Sequence, residues 1–208
     1  AQTQHRLGFA YHQKEMRANA VRHYRRALEL DPGIREARYN LGAVYAEQGR
    51  FDRAIREFQA YVERFPDIAQ GHLALGDAYM RVQSYASALD VYRHLWRDPD
   101  LSEALASGRT TANPAQLQGR MAAAHIQIGQ LEEGVAAYRS LLALAPDSLE
   151  VRYVLGRVLE KRERADEARA SYTRILARDP GHHRARYRLA YLLFQEERAE
   201  EASAHLVE

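Results

Sequence analysis

Five of the six prolines, Pro32, Pro66, Pro99, Pro146 and Pro180, follow one another in steps of 34, 33, 47 and 34 residues. Proline stops a helix, because it has no amide hydrogen to donate and its ring collides with the preceding turn. A stop recurring every 34 residues implies a chain of repeats, each burying its apolar face against the next. Laid out in that period, block 1–34 carries Leu7-Gly8, Tyr11, Ala20, Tyr24, Ala27 and Pro32. Block 35–68 answers with Leu41-Gly42, Tyr45, Ala54, Phe58, Tyr61 and Pro66. Block 69–102 has Leu75-Gly76, Tyr79, Ala88, Tyr92, Leu95 and, one place early, Pro99. Block 115–148 reads Met121-Ala122, His125, Gly134, Tyr138, Leu141 and Pro146. Block 149–182 reads Leu155-Gly156, Leu159, Ala168, Tyr172, Ile175 and Pro180. A sixth block, from 183, has Leu189-Ala190, Leu193, Ala202 and Leu206 and runs to 208.

Each block holds two helical stretches of about a dozen residues, A and then B. Apolar residues fall three and four apart in both, as Leu41, Val44 and Tyr45 do in an A helix and Ala54, Ile55, Phe58 and Tyr61 in a B helix. Pairs such as Gly49-Arg50, Gln83-Ser84 and Gly129-Gln130 mark the turn between them. Gly8, Gly42, Gly76 and Gly156 on the A helices, with Ala20, Ala54, Ala88 and Ala168 on the B helices, predict small residues facing each other across closely packed backbones. Close packing has to offset the ~1 kcal/mol that glycine costs inside a helix relative to alanine. The Asp-Pro pairs at 31–32 and 179–180 predict B-helix ends, since the residue before proline disfavours helix.

This pattern resembles the tetratricopeptide repeat, whose signature is a Leu-Gly pair, an aromatic, an alanine, a second aromatic and a closing proline. The resemblance covers nearly the whole chain and implies an all-α, right-handed superhelical solenoid of about six helix-turn-helix repeats, with A-helix side chains lining a concave groove. One departure runs throughout. The tryptophan usual near the start of each repeat is replaced by Gln4, Arg38, His72, Gln118, Arg152 and Arg186, and the sole tryptophan, Trp96, lies near the end of a B helix.

The period breaks once. Residues 103–114 are 12 extra residues, dividing the chain into repeats 1–3 at 1–102 and repeats 4–6 at 115–208, the last one partial or a capping helix. The array is expected to be continuous, or to consist of two sub-arrays hinged at the insertion. Asp98 as N-cap and Pro99 in the first helical position predict a short helix through Leu101 and Leu105. Ser107 to Asn113 reads as loop, and Pro114 opens the next A helix. The insertion is either surface decoration or a lining or cover for the concave face. At the other end, a helix over about 199–207 sets Ala199, Ala202 and Leu206 on one face and Glu200 and Glu201 on the other, the pattern of a polar cap. A start at Ala1, without an initiator methionine, reads as a processed or excised chain.

Several kinds of chemistry are excluded. The chain has no cysteine, so disulfides, thiolate zinc sites and thiol catalysis are out. It contains no nucleophile-elbow, phosphate-loop or zinc-protease motif. His5 and His12 are about 10 Å apart along one helix, His182-His183 lies at a turn with no evident third ligand, and His72 and His125 occupy packing positions. A non-catalytic chain without metal or cofactor is therefore expected. There are 30 basic and 28 acidic residues, and each half of the chain holds 15 and 14, which argues against a nucleic-acid-binding arm. No apolar run approaches the ~20 residues of a membrane span, and no signal-peptide pattern is present. A soluble chain is expected, compatible with the cytoplasm or with export.

The expected function is a scaffold that binds a partner's peptide or helix in the concave groove. Two alternatives remain open: a structural subunit of a larger or self-associating assembly, and a recognition arm of a larger enzyme such as a glycosyltransferase. Read by register, the groove includes Asn40 and Asp77 in the early repeats. In the last two repeats Arg157, Lys161, Arg184 and Arg188 interleave with Tyr153, Tyr187, Tyr191 and Phe194. Residues 149–194 carry 11 basic and 6 acidic groups, and 195–208 carry 1 and 5. Arginine with tyrosine suits an acidic or C-terminal peptide. The competing reading is a solvated arginine face, with tyrosines packed between repeats or against a next domain. The carboxylate clamp of tetratricopeptide co-chaperones maps to His5, Phe9, Asn40, Gln70 and Ala74, where only Asn40 matches. An asparagine ladder of the glycosyltransferase type is absent for the same reason.

Overall fold

The computed structural model describes residues 1–107 and 113–205. Among them the chain is all-α, with thirteen helices and no strand, and no helix is long and apolar enough to cross a membrane. It divides into two compact units, Ala1–Leu117 and Gln118–Glu208. The first holds α1 (Gln2–Gln13), α2 (Arg17–Leu30), α3 (Arg35–Glu47), α4 (Phe51–Arg64), α5 (Ala69–Arg81), α6 (Tyr85–Arg97) and α7 (Pro99–Ala106). The boundary falls within α8 (Pro114–Gln127), and the second unit continues with α9 (Leu131–Leu144), α10 (Leu149–Lys161), α11 (Ala165–Arg178), α12 (His183–Gln195) and α13 (Ala199–Ala204). Within each unit successive helices pack on one another, α2 between α1 and α3, and α11 between α10 and α12. Leu206 lies outside the described residues, as does most of the expected loop, at 108–112.

The turn between helices A and B is one device used six times. Position 15 of every block, namely Glu15, Gly49, Gln83, Gly129, Glu163 and Glu197, has φ between 56° and 80°. A left-handed residue closes helix A and re-aims the chain, yet only two of the six are glycine. An L-residue held there is strained by about 1–2 kcal/mol. Glu15→Gly, Gln83→Gly and Glu163→Gly are each expected to raise stability by about 1 kcal/mol, read as a higher denaturant midpoint with an unchanged slope.

The A-helix glycines leave room for an aromatic ring. A Cβ on Gly8, Gly42, Gly76 or Gly156 would lie 2.6, 2.7, 2.3 or 2.7 Å from an atom of Tyr24, Phe58, Tyr92 or Tyr172. The aromatic ring sixteen residues later fills the space of the missing Cβ. A flat ring buries far more area than a methyl against the open backbone. Repeat four inverts the arrangement: Ala122 stands where the glycine is expected, and a Cβ on Gly134 of α9 would lie 2.3 Å from Ile126.

The missing tryptophan has a polar substitute. Its positions in three repeats send hydrogen bonds back to the proline carbonyl that ends the previous B helix: His72 to Pro66 at 2.8 Å, Arg152 to Pro146 at 2.8 Å and Arg186 to Pro180 at 2.5 Å. Arg38 instead pairs with Glu57 at 3.3 Å.

The short helix expected after Asp98 is α7. The Asp98 carboxylate accepts from the amides of Asp100 and Leu101, both at 3.1 Å, Pro99 occupies the first turn, and Leu101 and Leu105 are buried. At the start of α8, Asn113 and Gln116 exchange reciprocal side-chain-to-amide bonds of 2.9 and 3.2 Å, a capping box.

Candidate functional site

Two surfaces built from A helices carry chemistry. In the first unit a groove of about 740 Å³ is lined by His5 and Phe9 of α1, Arg35, Tyr39 and Asn40 of α3, Gln70 of α5 and Ala104 of α7. The repeat register puts α1, α3 and α5 side by side, so equivalent positions converge. Hydrogen bonds tie them together: Gln70 donates to the Tyr39 hydroxyl at 2.8 Å, and Asn40 Nδ2 stands 3.3 Å from His5 Nε2. Asn40 also neighbours the Tyr24 phenol, whose pKa burial pushes up to about 12 although Asn40 opposes the shift. The inserted helix is therefore a wall of this groove. Asp77, placed in the groove lining by register, is half-buried and accepts the Tyr92 hydroxyl at 2.6 Å.

The second surface belongs to α10 and α12. Tyr153 is only 5% exposed. The Arg184 guanidinium lies 4.4 Å above its ring, with Tyr172 and His182 at centroid distances of 5.8 and 5.7 Å. Burial pushes the Tyr153 phenol up, but the guanidiniums of Arg157, Arg188 and Arg184 outweigh it and hold the pKa below its ordinary value. Tyr153 thus belongs to the packing between repeats, with Arg184 stacked over its ring. Glu160 counterbalances these arginines: it accepts from the Tyr172 hydroxyl at 2.5 Å and from Arg188 at 3.3 Å. Burial, reinforced by this carboxylate, drives the Tyr172 phenol well above its usual range. Arg184 also faces Glu150 at 3.8 Å in an exposed pair.

The remaining residues of the basic aromatic stretch are open to solvent. Lys161 is exposed at the end of α10. Tyr187, Tyr191 and Phe194, spaced by four and three along α12, form one exposed face, with Gln195 donating to the Tyr191 hydroxyl at 2.9 Å. The structure thus links Tyr153 directly to Arg184, and through Tyr172 and Glu160 to Arg188, leaves the three aromatics on an outer face, and places Asn40 and Asp77 in the other unit. Sequence reasoning missed Ala104 and Arg35 in the first groove. Repeat register gives no account of Ala104, because α7 lies outside the repeat.

The chain matches the tetratricopeptide repeat over residues 13–67, 44–100 and 120–181 with one description of that family, and over 161–208 with another. No curated protein matches it. Among solved structures it resembles MamA from Desulfovibrio magneticus RS-1, at 16% identity over 83% of this chain and 91% of that one, with a TM-score of 0.70. It also resembles YrrB, described as a tetratricopeptide repeat protein with an unusual peptide-binding site, at 18% identity over 88% of each chain and a TM-score of 0.65. PilF from Pseudomonas aeruginosa aligns at 18% identity over 98% of this chain and 87% of that one, with a TM-score of 0.68. At these identities the likeness is one of fold.

Proposed function

Because this chain belongs to the tetratricopeptide repeat family, we infer that it is a protein–protein interaction scaffold that holds an acidic segment of a partner protein on its A helices. The observation that carries this reading is that α10 and α12 hold Arg184 over the Tyr153 ring at 4.4 Å and Arg188 against Glu160 at 3.3 Å, beside Arg157. Guanidinium groups already held by a ring and a carboxylate lose little freedom on binding, and they bind carboxylates in bidentate fashion. Tyr153 acts by positioning them, Lys161 adds an exposed charge at the edge, and Tyr191 and Phe194 offer apolar contact beside it. In the first unit, Asn40 supplies the polar contact of the groove, while Asp77 secures Tyr92 and acts by positioning. A peptide-binding site of the kind named for YrrB is the task this reading assigns.

The test is a panel of peptides with acidic residues and free C-terminal carboxylates, measured by calorimetry. Arg157→Ala combined with Arg188→Ala is expected to weaken the best acidic binder at least about tenfold, or 1.4 kcal/mol, with the helical circular dichroism retained. Affinity should fall with added salt. Unchanged affinity in the double variant would overturn the assignment.

A further inference from the structure

The second unit carries another groove, of about 490 Å³, between the B helices α9 and α11 and over α10. Residues 152, 155 and 159 fall on one face of α10 and line it, whereas Tyr153, Arg157 and Glu160 fall on a different face by the period of the helix. Leu155 and Leu159, 6% and 2% exposed, make an apolar floor, and half-buried Leu142 adds to it from α9. Three arginines, Arg139, Arg152 and Arg174, line the groove against one acid, Glu167. That acid is already engaged: it accepts from Arg139 at 2.5 Å and from Arg164 at 2.6 Å. Arg152 donates to a neutral acceptor, the Pro146 carbonyl, at 2.8 Å, which occupies only part of its guanidinium fork. Arg174 is exposed and makes no ion pair with a described residue. Two positive charges without a counter-charge therefore stand beside an apolar floor.

We propose that this groove binds the C-terminus of a partner polypeptide that ends in an apolar residue, with the terminal carboxylate on Arg152 and Arg174 and the last side chain on Leu155 and Leu159. Charge selects an anion, since guanidinium forks bind carboxylates through paired hydrogen bonds. The floor selects an apolar group attached to that anion. Spacing selects a chain terminus. Arg152 and Leu155 stand one turn apart on α10, which puts about 5–6 Å between their Cβ atoms. A terminal residue carries its carboxylate and its side chain on one Cα, so the two reach neighbouring positions together. An aspartate or glutamate inside a chain presents its charge at the tip of the side chain, with no apolar group of its own beside it. The volume lies within the range of about 300–1,000 Å³ usual for ligand sites, and an open groove rather than a closed cavity leaves the preceding residues of the partner a path out. This goes beyond the acidic-segment reading, because it uses the face of α10 turned to the B helices rather than Arg157, Arg184 and Arg188.

Nuclear magnetic resonance titration of the protein tests it, with a glycine–serine hexapeptide ending in leucine as the probe. Millimolar peptide is expected to shift the resonances of Leu142, Leu155 and Ser171, which line the groove. Amidating the peptide's C-terminus should weaken binding at least about tenfold, the loss of a hydrogen bond to a charged group. Ending the peptide in serine should weaken it as well, because the floor then has nothing to cover it. Arg174→Glu should match the effect of amidation, and helical circular dichroism should be retained because Arg174 is exposed. Arg157→Ala combined with Arg188→Ala should leave this affinity unchanged, so the two sites fail separately. No shift at millimolar peptide, an amidated peptide that binds as well, or an Arg174→Glu chain that binds like the parent would each overturn the proposal. Octanoate binding more tightly than the peptide would overturn it too, by making the groove a site for small amphiphilic acids.

Discussion

Replacing Gly76 with alanine is expected to cost the first unit about 2 kcal/mol. Overpacking a filled core costs about 1–3 kcal/mol, and here the effect sits at the top of that range. The new Cβ would lie 2.3 Å from Tyr92 Cε1 and 2.8 Å from two further atoms of the ring. Tyr92 has nowhere to withdraw: it is fully buried, and its hydroxyl is held by Asp77 at 2.6 Å. The helix-propensity gain of alanine over glycine, about 1 kcal/mol, recovers only part of the loss. Chemical denaturation should show a lower midpoint for Gly76→Ala and partial recovery when Tyr92→Leu is added, because the smaller side chain vacates the space. A Gly76→Ala chain as stable as the parent would show that the ring does not depend on the missing Cβ.

Truncating Leu101 and Leu105 to alanine is the second large effect. Each is at most 2% exposed, and burial of this kind is worth about 2–5 kcal/mol per leucine, less than additively for two neighbours. An eight-residue helix does not hold together in water without packing, so the loss falls on α7 alone. Limited proteolysis should cut within 98–113 far faster in the double variant, with the helical signal of the remaining repeats nearly unchanged. Ala104 leaves the groove with the helix, so any peptide bound beside Phe9 and Asn40 should weaken too. Protection from protease equal to the parent's would show that α7 is held by something other than its two leucines.

Legibility differed from element to element. The A and B helices, their proline-marked ends and the Asp98-capped α7 were readable because each rests on local chemistry: a missing amide, a side-chain cap, a spacing of three and four. The left-handed turn was half readable, since Gly49 and Gly129 advertise it but Glu15, Gln83, Glu163 and Glu197 do not. Those four are held there by the stacking of the helices on either side, which overrides the preference of the residue itself. The glycines were readable as points of close approach but the ring that fills each was not, because register names the residues on a face and not the depth to which a ring sixteen residues away reaches.

The candidate site divides in the same way. Sequence determined that this chain is an array of tetratricopeptide repeats, that arginine and tyrosine concentrate in the last two, and that no cysteine is available for chemistry. Tertiary structure decided which members of that stretch face outward. Tyr153 and Tyr187 occupy the same repeat position, yet one is 5% exposed and the other 60%. The reason is physical: a periodic sequence assigns equivalent residues equivalent faces, and exposure then depends on whether another helix pair is stacked on that face.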